Sequence, residues 1–312
     1  MTESDTDDVS GSTAGLHDAA RDVERDWRRT GLGGGFWARD LGTGHELGFG
    51  PDRLFPLASV IKLPLALVAF DEIVTGRLDP AEPIDLDPAT ATAGPSGISL
   101  FRHPARIAVG DLIMQSLSVS DNAAADALFD RLPPELITRR LREWGCAGIT
   151  VRHPIRELNQ ALAELVGDDR QLALELTVRA NTRGGGHAVA QLDPHRANAG
   201  SARALIDLLE RIWADSVATP GATALLREAL SHQLRQHRLA ADLISDLTSV
   251  RSKTGTLLNL RHEVGVVETG AGERLAVAAL TSSSIPAFEQ PEAEWAIAQA
   301  ARTAVDALLA ER

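Results

Sequence analysis

Ser59 and Lys62 stand three residues apart in the apolar stretch Leu57-Ala58-Ser59-Val60-Ile61-Lys62-Leu63-Pro64. On a helix that spacing puts both side chains on one face, so the lysine amine can sit beside the serine hydroxyl. Apolar neighbours disfavour the charged ammonium and pull the lysine pKa down toward that of a usable base. A serine beside such an amine is an activated nucleophile. The plainer alternative is a serine that caps a buried helix and a lysine that extends to solvent. Composition separates the two: of 31 lysines and arginines, only Lys62 and Lys253 are lysine. Arginine cannot deprotonate or act as a compact point charge, so these two positions mark sites where chemistry demands lysine.

Two more motifs follow in order, Ser120-Asp121-Asn122 and Lys253-Thr254-Gly255. The elements that must hold them can be read from periodicity. Leu16 to Arg29 has helical spacing, Gly31 to Gly35 breaks it, and Phe36–Leu41 with His45–Phe49 reads as a hairpin. The nucleophile helix spans Ser59 to Thr75, and residues 80–105 read as loop. Helices follow over Ile107–Leu117, Ala123–Leu132, from Pro133-Pro134 to near Gly145, Gln160–Arg179, 201–214 and 221–237. Thr248–Thr256, Glu263–Glu268 and Arg274–Ser282 are β-rich, and Glu292–Leu309 is a closing amphipathic helix. Strands, a long helical middle, then strands and a helix predict one α/β domain over 14–312. Its α/β lobe comprises 14–58 and 246–312, its helical lobe 59–245, and residues 1–13 are expected to be a disordered acidic tail.

A net charge of −12 argues against nucleic acid or an anionic membrane as partner. No stretch of about 18 apolar residues exists to span a bilayer. The acidic start, without an apolar leader-like core, and the single cysteine, Cys146, point to the cytoplasm. Cys146 has no nearby base and reads as a small packed residue. The nine histidines show no metal-ligand spacing, His187 and His195 included, so neither a metal nor another cofactor is implied.

The three motifs, in this order and context, resemble those of class A β-lactamases and penicillin-binding proteins. Gly35–Lys62 resembles the family's first hairpin and nucleophile helix, Asp111–Ala124 its Ser-Asp-Asn helix and loop, and Lys253–Thr281 the strand pair at the edge of its sheet. The Lys-Thr-Gly-Thr and Glu-Val-Gly-Val-Val-Glu runs are most similar to actinobacterial serine hydrolases of this kind. The resemblance implies a β-lactamase-like fold, an antiparallel sheet flanked by N- and C-terminal helices with an inserted all-α lobe. It also implies roles: Ser59 attacks a carbonyl, Lys62 takes its proton, and Ser120 relays a proton to the leaving atom under the field of Lys253. Asn122 holds a substrate amide, and the Ser59 and Thr256 N–H groups form an oxyanion hole. Lys253, Thr254, Gly255 and Thr256, with Arg261 or His262, suit a substrate carboxylate, although Arg261 also reads as a solvated surface arginine. Asp121 braces its loop, and Glu263 reads as a solvent-facing strand residue.

One departure stands out. Where class A β-lactamases carry the glutamate that activates the deacylating water, alignment on Glu157-Leu158-Asn159 puts Ile155. Glu157, Asp168 and Asp169 remain as substitutes, and the segment to about Asn198 is longer than the family's loop. Two functions are therefore open. One is a serine hydrolase acting through an acyl-enzyme on a small acyl or β-lactam-like substrate that carries a carboxylate, weak as a conventional β-lactamase. The other is a β-lactam-binding or acyl-accepting protein, sensor or transacylase, with little turnover.

Overall fold

Gly255 approaches the backbone of Leu57 so closely that a methyl group there would lie 2.9 Å from the Leu57 carbonyl oxygen and 2.9 Å from Val60 Cγ2. That contact joins the two halves of the fold. The structure is a computed structural model that describes residues 7–157, 167, 169–182, 186–245, 247–287 and 289–312. In chain order come α1 (Asp7–Arg29), β1 (Leu32–Asp40), β2 (Glu46–Phe49), β3 (Phe55–Pro56), a 3-10 turn (Ala58–Ile61), α2 (Lys62–Val74), β4 (Pro83–Leu86) and β5 (Ala105–Ala108). Next are α3 (Val109–Ser118), α4 (Asn122–Phe129), α5 (Pro134–Glu143), α6 (Arg170–Arg179), β6 (Ala199–Gly200), α7 (Ala202–Trp213) and α8 (Pro220–Ser231). The chain closes with β7 (Thr248–Leu257), β8 (Leu260–Thr269), β9 (Arg274–Ser283) and α9 (Pro291–Ala310).

Five strands form one antiparallel sheet in the order β2-β1-β9-β8-β7. Alternation along the strands divides the core. Val264, Val266, Ala276, Ala278 and Leu280 face the helical lobe and pack with α2. Phe36, Ala38, Val267, Leu275, Val277 and Ala279 face α1 and α9. The helix α2 runs through the helical lobe with Lys62 to Glu72 all buried, the pattern of a helix with no solvent face. The α/β architecture with its antiparallel sheet and inserted helical lobe is as expected from element order. Among the described residues, no helix is long and apolar enough to cross a membrane.

Several boundaries differ from expectation. The segment expected as a disordered tail is helical from Asp7. Gly33, Gly34 and Gly35 do not break the chain but begin β1. A Cβ on Gly34 would lie 2.2 Å from the Leu280 carbonyl oxygen, so the strand passes where only glycine fits. The expected loop over 80–105 contains β4, which pairs with β5 through Ile84 opposite Ile107. Pairing takes Ile107 into a strand, and α3 starts at Val109. The nucleophile segment is a 3-10 turn before it becomes α2, and α8 stops at Ser231. Of the helix expected over Gln160–Arg179, residues 160–166 and 168 lie outside the described residues, and α6 covers the rest from Arg170.

Gly255→Ala tests the contact between the halves. Overpacking there is expected to lower stability by about 1–3 kcal/mol, read from the shift in urea midpoint. An unchanged midpoint would mean that β7 does not press on the 3-10 turn.

Candidate active site

Two backbone outliers mark the site. Ala58 has φ 47° and Ser120 has φ 59°, left-handed values that cost a non-glycine residue about 1 kcal/mol or more. The first sets the turn that carries Ser59, and the second presents the Ser120 hydroxyl. Ser59 is half-buried at the start of the turn, one helical turn from Lys62.

Lys62 is wholly buried. Its Nζ donates to the Ser120 carbonyl oxygen at 2.7 Å and to Asn122 Oδ1 at 2.8 Å, and reaches Ser120 Oγ at 3.4 Å. Burial pulls its pKa down to about 7, although the carboxylates of Asp121 and Asp126 pull the other way. At neutral pH the amine is therefore divided between its two forms. Lys253, also wholly buried, donates from β7 to Ser120 Oγ at 3.0 Å and to the Thr254 carbonyl oxygen at 2.9 Å. Burial first, and then the neighbouring Lys62, push its pKa well below the usual lysine range.

The register explains how one strand serves this cluster. Lys253 stands opposite Val264 and Gly255 opposite His262, so both share the face turned toward the helical lobe. Thr254 and Thr256, opposite Glu263 and Arg261, lie on the other face.

Asp121 caps α4 and accepts from the Ala123 and Ala124 N–H groups, from Ile98 N–H and from Ser99 Oγ. This is the bracing role expected of it. Gly97 is required beneath: a Cβ would come 2.3 Å from Asp121 Oδ2. Asn122 donates to the Ala93 carbonyl oxygen at 3.0 Å while its Oδ1 receives Lys62. The structure thus brings Ser120, Asn122, Lys62 and Lys253 into one hydrogen-bonded cluster, with Ser59 on the turn against Gly255.

Three sequence expectations need correction. Arg261 is not a solvated surface arginine: it is fully buried, donating to the carbonyl oxygens of Leu258, Leu260 and Ala287, beside Glu294. Backbone partners already occupy its guanidinium, so it is not poised to take a substrate carboxylate. His262 is no better placed, because Nε2 meets the Pro56 carbonyl oxygen, Nδ1 accepts from Thr281 N–H, and burial pushes its pKa to about 3. Glu263 does not face solvent. It is buried, accepts from Ser252 Oγ and Leu239 N–H, and burial raises its pKa.

Arg238 and Glu294 were not singled out by sequence reasoning. Arg238 is 1% exposed and donates to Thr256 Oγ1 at 2.7 Å, to the Gly255 and His262 carbonyl oxygens, and to Glu294. Burial alone would raise the Glu294 pKa, but His237 and Arg238 hold it down at about 2. Arg238 is thus the guanidinium bonded to an exposed hydroxyl at the mouth of β7.

The departure at Ile155 is borne by the neighbouring chemistry. Ile155 is 7% exposed and belongs to the helical-lobe core. Its N–H and that of Arg156 donate to the buried carboxylate of Asp126, which Thr92 Oγ1 also reaches. Burial raises the Asp126 pKa despite those donors. Of the expected substitutes for the missing glutamate, Glu157 is exposed and Asp169 caps α6 through Leu172 N–H. Asp168 lies outside the described residues.

A family model described as the beta-lactamase enzyme family matches residues 18–308. The beta-lactamase regulatory protein BlaB of Streptomyces cacaoi is 50% identical over 291 residues, covering 89% of this chain and 93% of that protein. The L158E mutant of PBP-A, solved as an acyl-enzyme complex with penicillin G, superposes with a TM-score of 0.75 at 19% identity, over 94% of this chain and 97% of that one. A beta-lactamase from Chitinophaga pinensis gives a TM-score of 0.75 at 18% identity, over 94% and 100%. At such identities the solved structures speak to the fold.

With only two lysines in the chain, lysine-selective 13C labelling gives a spectrum in which Lys62 can be followed directly. Its titration midpoint is expected near pH 7. In Asp126→Asn the midpoint should move lower, because a carboxylate that favours the ammonium is gone. A midpoint near that of free lysine, or an upward move in the variant, would refute this electrostatic account.

Proposed function

Because the chain belongs to the beta-lactamase enzyme family, we propose that it is a serine acyl-transfer protein that forms an acyl-enzyme at Ser59 with a β-lactam or a related amide or ester, and clears it slowly. The observation that carries this reading is the convergence of two buried lysines on Ser120 Oγ, one from α2 and one from β7.

In this reading the neutral amine of Lys62 takes the proton of Ser59 as its Oγ attacks the substrate carbonyl carbon. The tetrahedral oxyanion is stabilised by the N–H groups of Ser59 and Thr256, on two segments that Gly255 holds in contact. The proton then passes from Lys62 through Ser120 to the leaving nitrogen or oxygen as the carbonyl–heteroatom bond breaks. Lys253, hydrogen-bonded to Ser120, favours the hydroxyl's transient negative character. Asn122 orients a substrate amide and keeps Lys62 in place. A substrate carboxylate is held by Thr254, Thr256 and the Arg238 guanidinium rather than by Arg261. Since β7 is the edge strand, its outward backbone groups are available to pair with an extended acyl chain.

Clearing the acyl group needs a base for water. Ile155 has no proton-accepting atom, and Asp126 is committed to backbone and Thr92 donors. This favours a second reading, a β-lactam-responsive acceptor that stays acylated, over efficient hydrolysis. The regulatory role in the name of the Streptomyces cacaoi relative fits it. The buried free thiol of Cys146 suits a cytoplasmic setting for either reading.

Incubation with a fluorescent penicillin and intact-mass spectrometry test both. A single adduct is expected, absent from Ser59→Ala, and forming faster as pH rises through about 7, where Lys62 loses its proton. The adduct should persist for hours, and Ile155→Glu should shorten its life. No adduct, or one that remains in Ser59→Ala, would overturn acylation at Ser59, and rapid decay in the native protein would overturn slow clearance. Arg238→Gln should weaken capture of carboxylate-bearing donors about tenfold, the equivalent of ~1.4 kcal/mol, with little change for uncharged esters. An equal loss for both would deny Arg238 that role.

A further inference from the structure

A cavity of about 660 Å³ opens in walls that include none of Ser59, Lys62, Ser120, Asn122 or Lys253. Its size falls within the range of small-molecule pockets. Among the described residues, the only formally charged ones in its walls are Arg28 and Arg53, with no aspartate or glutamate. In a chain of net charge −12 that is a local inversion of sign. Arg28 pairs with Glu24 on its own helix, whereas Arg53 stacks over the Phe55 ring, 4.8 Å from its centroid. Among the described residues no carboxylate forms an ion pair with Arg53. Leu54, Phe55, Leu192 and Leu260 give the cavity an apolar side. Asn259 in the wall donates through Nδ2 to the Thr177 and Ser283 carbonyl oxygens, and among the described residues its buried Oδ1 has no donor.

The same walls are continuous with the active site. Phe55 and Pro56 form β3 and lead directly into Leu57-Ala58-Ser59, and the Pro56 carbonyl oxygen is tied to His262 on β8. Asn259 stands three residues beyond Thr256, in the turn between β7 and β8. That turn, with Leu258 held at φ 51°, is covered by Leu176, Val189 and Leu192 from the long segment that follows Ile155. A molecule seated against Phe55 and Leu260 would therefore press on both the strand that precedes the nucleophile and the turn that follows Thr256.

We propose that this cavity is an effector site for a soluble organic anion with an apolar body, separate from the serine site and coupled to it through β3 and the β7–β8 turn. Arg53 and Arg28 take the anionic group, and the leucines and Phe55 take the apolar part. The inference does not depend on acylation of Ser59.

The probe is 8-anilinonaphthalene-1-sulfonate, titrated by fluorescence into the full chain and into Ser59→Ala. Saturable binding of equal strength to both is expected, and binding lost in Ser59→Ala would place the probe in the serine site and overturn the proposal. The double variant Arg28→Glu/Arg53→Glu, both positions being exposed, should weaken binding at least about tenfold. Gly33→Phe should abolish it, because Gly33 lines the cavity and a Cβ there meets nothing within 4 Å. Circular dichroism and urea midpoints identify variants that keep the native fold. Probe binding that ignores these substitutions in folded variants would overturn the site, and displacement by millimolar inorganic phosphate would overturn the apolar half of the ligand class. In Ser59→Ala, probe binding should also shift the 13C signals of the two lysines, and unmoved signals would overturn the coupling.

Discussion

The constraint on which the rest of this structure depends is the burial of two lysine side chains against one serine hydroxyl. A buried ammonium is costly without a partner, and among the described residues neither Lys62 nor Lys253 forms a direct ion pair. Carbonyl oxygens, an amide and a hydroxyl receive them instead. The fold around them is an apparatus for making that arrangement tolerable. Asp121 spends its acceptor capacity on four donors to fix the loop that offers Ser120, and Asn122 ties the opposite wall at Ala93. The left-handed backbone at Ser120 is the strain that remains. Burial that would be a defect elsewhere lowers the two amines' proton affinity here, and a lysine with a depressed pKa is a base.

The sheet contributes by alternation more than by strength. One strand sends Lys253 and Gly255 toward the helical lobe and Thr254 and Thr256 toward the terminal helices. Gly255 meets the turn that carries Ser59 and Lys253 reaches Ser120, while Thr254 accepts from Gln233 and Thr256 from Arg238, behind which stands Glu294 at the start of α9. A one-residue slip in pairing would exchange these faces, so the register of β7 on β8 is a functional specification as well as a structural one. Glu294 matters in the same sense. Its charge balances Arg238, Arg261 and His237, letting guanidiniums remain close together near the site.

Much of the candidate cluster was legible in the sequence because its residues are local to one another. Ser59 and Lys62 share a turn, Ser120 and Asn122 share a loop, and lysine is conspicuous in a chain that otherwise uses arginine. The layout of strands and helices was legible for a related reason, since period-2 and period-3.6 patterns are properties of short windows. What was not legible depends on pairing between distant segments. Arg238 looks like any other arginine until Thr256 and Glu294 are folded around it. Arg261, His262 and Glu263 carry polar side chains in a strand that is buried on both faces, which no hydrophobic pattern reveals. Gly34 reads as a breaker, yet is the residue that lets β1 lie against Leu280. The short run at 83–86, opened by a proline, becomes a strand only because β5 pairs with it.

The exchange at Ile155 gives the site its direction. In the proposed reaction Lys62, Ser120 and Lys253 serve the step in which an acyl group is taken up, and all three are joined by hydrogen bonds. The step that releases the group needs a carboxylate free to accept a proton from water. Asp126, the buried carboxylate that holds this segment, accepts the N–H groups of Ile155 and Arg156 and the Thr92 hydroxyl, so neither oxygen is unoccupied. Had the site decayed as a whole, the costly lysines would be the first groups whose loss relieved the fold, since each buried amine opposes stability. They persist while the releasing base does not. On the proposed reading, a chain that keeps the expensive half of a two-step mechanism and places a packed isoleucine in the other half is organised to capture an acyl group and hold it.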